Sequence, residues 1–158
     1  MHPTTRRLAA TAVLMATTLC AHAADTPTPT GAPGTATRAP AADALGPARE
    51  KVAAKEWAAA VDALMLVRND SNADWHNLMG LALRNLPAAD FAVAEFHYAE
   101  ALRINPAHRG AMEYLGELYL QTGRRAQAEA QLAALARACP AGCPELSDLK
   151  AALAKARP

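Results

Sequence analysis

Cys139-Pro-Ala-Gly-Cys143 is the sharpest chemical feature of this 158-residue chain. Pro140 and Gly142 permit a tight turn, so the two sulfurs could close a disulfide, which the chain-entropy model values at about 2 kcal/mol for so short a loop. A redox thiol is the alternative, because Cys143 lies at the start of an amphipathic segment, where a helix N-terminus would favour the thiolate. The motif lacks thioredoxin spacing and a βαβ setting. No second pair of ligands lies nearby in sequence to complete a zinc site. His76 and His97 are placed to meet across a helical hairpin, yet two imidazoles make a poor metal site without a further ligand. His76 is expected to fill a packing position, and no metal site is assigned. Glu113 and Glu117 stand at helical i, i+4 spacing, which reads as a solvated face and not as an acid/base pair. No Ser/His/Asp set, phosphate-binding glycine loop or zinc-protease motif occurs. The chain therefore reads as a non-enzyme without a cofactor.

Where these residues act depends on the start of the chain. Arg6 and Arg7 precede the apolar run Leu8–Cys20, and Ala21-His22-Ala23 supplies small residues for cleavage. That is the pattern of a secretory signal peptide over 1–23, too short and wrongly flanked for a transmembrane helix. Leu19 occupies the place where a lipoprotein needs a small residue before its cysteine, which argues against lipidation of Cys20. Residues 24–44 form a Pro/Thr/Ala-rich linker without apolar periodicity, expected to be a disordered tether. The mature chain, periplasmic or secreted and free of membrane insertion, would keep Cys139 and Cys143 in an oxidising compartment, which favours the disulfide. Cleavage removes two arginines and no acids, leaving 14 basic against 15 acidic residues. So balanced a charge offers no footprint for nucleic acid or an anionic membrane.

The elements that must position these residues are helical. Alanine-rich sequence with leucine, arginine and glutamate, and no alternating β-branched run, predicts an all-α fold. From Trp57 onward the chain repeats every 34 residues. Trp57, Phe91 and Arg125 share this step, as do Ala60, Ala94 and Ala128; Leu64, Tyr98 and Leu132; Val67, Ala101 and Leu135; and Asn72, Pro106 and Pro140. Each period reads as helix, turn, helix. Asn105 and Pro106 suit the N-cap and first position of one helix, and Gly123 suits its end. Gly80 and Gly116 lie 36 apart because the turn Asn85–Asp90 carries two extra residues. A mid-helix glycine costs about 1 kcal/mol relative to alanine. Close packing between paired helices would offset that, with Gly80 facing Ala94 and Gly116 facing Ala128.

These columns resemble the tetratricopeptide repeat (TPR) pattern. "MEYLGELY" with Gly123, Ala128, Leu132 and Pro140 matches it, with Met112 in place of the usual tryptophan. "HNLMGLAL" with Ala94, Tyr98, Ala101 and Pro106 matches again, with His76 at that place and Trp75 displaced by one residue, expected to rotate into the same hole. The resemblance implies a short solenoid of stacked antiparallel helical hairpins over 45–143. It divides into a degenerate repeat at 45–72 and two good repeats at 73–106 and 107–140. The amphipathic segment 144–158 then serves as a capping helix, the polar-faced end that repeat arrays need.

The resemblance also implies where a ligand would lie. Carried over residue by residue, the concave groove takes Asp74, Asn77, Leu81, Arg84 and Asn85 from one repeat and Glu113, Glu117, Leu120 and Gln121 from the next. Glu113 and Glu117 stand where a lysine-rich clamp for acidic C-termini would need bases. The groove suits instead a peptide with apolar anchors and a basic residue. The function read from this is non-catalytic binding of a protein or peptide by a monomeric scaffold or assembly factor in the bacterial envelope. One alternative is a thiol-dependent factor using Cys139 and Cys143. Another is an accessory subunit bound through its convex or cap surface, sensitive to Leu146 and Leu153 and not to the groove.

Overall fold

Helix boundaries in this chain are set by identifiable side chains. The Asp90 carboxylate accepts the backbone N–H groups of Ala92 and Val93 at 3.0 and 3.1 Å, and Asn72 accepts that of Trp75 at 3.1 Å. Each satisfies donors that a helix N-terminus leaves unpaired. Gly123 takes a φ of +73°, and the next N–H, from Arg124, closes back on the Tyr119 carbonyl at 2.7 Å, a glycine C-terminal stop. In the computed structural model, which describes residues 43–156, such signals divide the described residues into seven helices. They are α1 (Gly46–Ala53), α2 (Trp57–Leu66), α3 (Ala73–Arg84), α4 (Phe91–Ile104), α5 (Arg109–Gln121), α6 (Arg125–Ala138) and α7 (Pro144–Lys155). No strand occurs among the described residues, and none of the described helices is long and apolar enough to cross a membrane. The expected signal peptide at 1–23 and all but the last two residues of the expected linker lie outside the described residues.

Three hairpins, α1/α2, α3/α4 and α5/α6, stack in order, and α7 packs on α5 and α6. The first helices α1, α3, α5 and α7 approach one another in succession, whereas the backbones of α2, α4 and α6 stay apart. The first helices therefore form the inner layer of a helical solenoid, and the second helices fan out on its outer side. Its core runs in three linked clusters. Leu64, Trp75, Leu78 and Met79 join α2 to α3. Ala94, Tyr98, Leu115 and Leu118 join α4 to α5. Ala128, Leu135, Leu149 and Leu153 join α6 to α7.

The two helix-interior glycines both accept close neighbours, but different ones. A Cβ on Gly80 would stand 2.8 Å from the Tyr98 ring and 3.1 Å from the Ala94 carbonyl oxygen, so Gly80 faces Ala94 as its spacing predicts. A Cβ on Gly116 would stand 2.6 Å from a Leu149 methyl. The expectation that it faces Ala128 is thus corrected: α7 lays a leucine into the notch. Two further expectations change. Asn105 ends α4 instead of opening α5. Its side chain takes the Ala107 N–H at 3.0 Å in a turn, and His108 caps α5 by accepting from Ala111 N at 3.1 Å. Trp75 does not take the place of His76, since both are buried side by side, at 3% and 4% exposure. The Trp75 Nε1–H donates to the Leu64 carbonyl at 2.8 Å, which draws the indole toward α2.

Candidate binding surfaces

The residues expected to line a groove sit on the inner layer, and several are tied into it. Asp74 accepts from Arg49 at 2.9 Å and from His108 Nε2 at 3.0 Å, joining α1, α3 and the turn before α5. The Arg49 contact is the main reason its carboxyl lies below the usual range. Arg84 donates from Nη1 to the Tyr114 carbonyl at 2.9 Å and from Nη2 to Glu117 at 2.7 Å, and its guanidinium lies 5.7 Å from the centre of the Tyr114 ring. Asn85 donates to the Leu81 carbonyl at 2.8 Å. Leu81 and Asn77 are buried, and the Asn77 Oδ1 has no hydrogen-bond partner among the described residues. Leu120 and Gln121 border a hollow of about 410 Å³ that also touches Glu117, Ala152 and Lys155.

Glu113 is different. It is 8% exposed, and no described residue forms a hydrogen bond or ion pair with its carboxylate. Burial is the main cause that pushes its pKa up to about 7, and Glu117, Asp148 and Glu145 add to it while Arg84 opposes. The helical spacing of Glu113 and Glu117 pointed to a solvated face, but α7 packs against α5 and takes Glu113 out of water.

On the outer layer, the separation of α2 from α4 leaves a cavity of about 580 Å³. Val61 and Met65 of α2, Trp75, His76, Met79 and Leu83 of α3, and Phe96, His97 and Glu100 of α4 line it, with Arg68 and Asp70 from the connecting turn. His76 and His97 do meet across the hairpin, with Nδ1 atoms 3.0 Å apart, and His76 Nε2 lies 3.2 Å from the Asp70 carbonyl oxygen. Burial first, and the His76 ring second, lower the His97 pKa to about 4. Sequence reasoning missed this cavity. Its outward signal is the pair of large apolar side chains left exposed on neighbouring outer helices, Met65 at 54% and Phe96 at 58%. The next gap, between α4 and α6, is bridged. Arg124 donates twice to Glu95, at 2.9 and 2.8 Å, with its guanidinium 4.5 Å from the centre of the Tyr119 ring.

Cys139 and Cys143 are joined as a disulfide, with Cα atoms 6.0 Å apart. The bond links the C-cap of α6 to the N-cap of α7, and Cys139 is 7% exposed. Among the described residues no three His, Cys, Asp or Glu side chains gather closely enough to hold a metal ion.

No curated protein and no solved structure matches the chain. The tetratricopeptide repeat family model matches residues 87–153, from the turn before α4 into α7. Such repeats are in general non-catalytic modules for protein–protein interaction. The matched segment, the 34-residue columns and the stacked hairpins agree: residues 87–153 are tetratricopeptide repeat sequence.

Proposed function

We propose that this chain is a monomeric, non-catalytic adaptor of the bacterial envelope that holds a protein segment along the inner face of α3, α5 and α7. The segment carries a basic residue beside apolar anchors. One observation carries the reading: Glu113 is a nearly buried carboxylate without a partner among the described residues. An unpaired buried carboxylate is costly to maintain, and a lysine or arginine from a bound segment would supply the missing contact. Glu117, Glu145 and Asp148 deepen the negative potential there, while Arg84 is already engaged by Glu117 and the Tyr114 carbonyl. Leu120 and the hollow beside it offer an apolar seat. The export pattern at 1–23 supports placement in the periplasm or beyond.

Crosslinking in cells tests this, with photoreactive residues placed at Glu117 and at Gln121 and adducts identified by mass spectrometry. A dominant adduct at both, competed by excess unlabelled protein and weakened by Glu113→Gln, supports the groove. Silence at both, with strong adducts from a probe at exposed Lys150 on α7, overturns it in favour of the cap surface. Replacing both cysteines by serine addresses thiol chemistry: binding retained with a lower Tm is the outcome for a structural staple.

A further inference from the structure

The cavity between α2 and α4 lies away from the inner face and has a defined hydrogen-bonding character. A carbonyl oxygen can only accept, so the 3.2 Å contact to the Asp70 carbonyl makes His76 Nε2 the donor. In a neutral imidazole the other nitrogen is then an acceptor, and His76 Nδ1 must accept from His97 Nδ1–H across 3.0 Å. That assignment leaves His97 Nε2 as a lone pair. Its low basicity agrees, since burial holds the ring neutral at any physiological pH.

The charged groups around the cavity are already paired, and the indole N–H is already given. Arg68 donates to both Asp70 carboxylate oxygens at 3.0 and 3.1 Å, Arg103 donates to Glu100 at 2.9 Å, and the Trp75 N–H is given to Leu64. The charges at the rim are thus paired within the fold. What is left is an apolar wall of Met65, Met79, Leu83 and Phe96, with His97 Nε2 as its open neutral acceptor. Aromatic rings already pack edge-on here, with Phe96 and His97 centroids 5.5 Å apart and Trp75 and His97 centroids 5.7 Å apart. The volume, about 580 Å³, falls in the range of small-ligand pockets.

We infer that this cavity is a second binding site, for a neutral aromatic ring bearing one hydrogen-bond donor, of the indole or phenol class. The ring enters between α2 and α4, lies against Met79 and Phe96, and donates to His97 Nε2.

Titration of the full mature chain with indole and with N-methylindole, followed by proton–nitrogen NMR, tests it. Indole should shift the Trp75 side-chain N–H and the His97 ring saturably. It should bind about five- to tenfold more tightly than N-methylindole, the effect of one neutral hydrogen bond. Equal affinities, or no saturable shift at these residues, overturn the inference. His97→Phe keeps an apolar wall and should bring the ratio of the two affinities to one. Should that variant fail to fold, the ring nitrogen shifts of the unaltered protein decide: protonation of His76 at Nε2 and His97 at Nδ1 is required, and the reverse assignment overturns the site. N-acetyltryptophanamide separates the sources of the ring. Binding as tight as that of indole identifies a partner's side chain, and much weaker binding identifies a free small molecule.

Discussion

The two gaps between outer helices begin from the same architecture and end differently. Between α4 and α6, Tyr119 floors the gap and Glu95 and Arg124 bridge it. One period earlier the corresponding positions are Leu83, Val61 and Asp90. Leucine is shorter than tyrosine, valine cannot accept a guanidinium, and the Asp90 carboxylate is committed to capping α4. The α2/α4 gap therefore stays open, and Phe96 and Met65 remain at its mouth. Whether an interstice of the solenoid becomes filler or pocket is decided by three residues, with no change of backbone plan.

The largest test removes what both gaps share. Tyr98 of α4 is fully buried against Gly80 and α5. Tyr98→Ala should cost about 3–5 kcal/mol, lowering both sides together in one urea transition. Independent transitions would mean that the gaps belong to separable units. Next, replacing Cys139 and Cys143 by serine should cost about 2 kcal/mol and loosen α7. Hydrogen exchange in α7 should rise while that in α2 and α3 is unchanged. Arg124→Ala breaks an ion pair whose side chains are each about one-third exposed, together with its stacking on Tyr119. A loss of roughly 1 kcal/mol in a melting experiment is expected after allowing for solvent screening. Leu83→Tyr copies the closed gap into the open one and should weaken any indole response while changing stability by only about 1 kcal/mol, because the half-buried Leu83 side chain borders the open cavity into which the larger ring can extend.

The smallest expected effect is on pH dependence, and the two halves differ in sign. The folded His97 pKa lies below its ordinary value of 6.5, at about 4, so the unfolded chain takes up the proton first. Stability from this group is complete above pH 6.5 and is lost as pH falls toward 4. Glu113 is raised from 4.5 to about 7, so its favourable state is the protonated one. That contribution is complete below pH 4.5 and is lost as pH rises through 7. Urea titrations across pH should show His97→Phe flattening the acid side and Glu113→Gln the alkaline side. The reverse pairing would contradict both assignments.

Much of this was legible in the sequence because it is local or periodic. The 34-residue columns mark the hairpins, and Asp90, Asn72 and Gly123 mark helix ends through bonds to residues two to five positions away. Gly80 was read correctly because its neighbour, Ala94, lies within the same hairpin. Gly116 was misread because its neighbour, Leu149, comes from outside the repeat. Asn105 was misread because asparagine serves a turn and an N-cap equally well, and His108 took the cap. The inner-face positions were named from the repeat pattern, but their chemistry was not legible: Glu113 looks solvated until α7 is laid against it. The outer cavity draws on residues of three helices, from Val61 to Glu100, and no linear pattern reports where those helices diverge.

Asp74 and Arg84 give α3 a mechanical asymmetry. Each ties α3 to a neighbouring repeat, one near each end of the helix. The Asp74 side chain is 54% exposed and the Arg84 side chain 6%. Added salt screens the exposed tie and leaves the sheltered one nearly intact. The array is thus stiff at one edge and compliant at the other. Flexing between repeats then acts as a hinge about the Arg84 end, with ionic strength setting the spring constant.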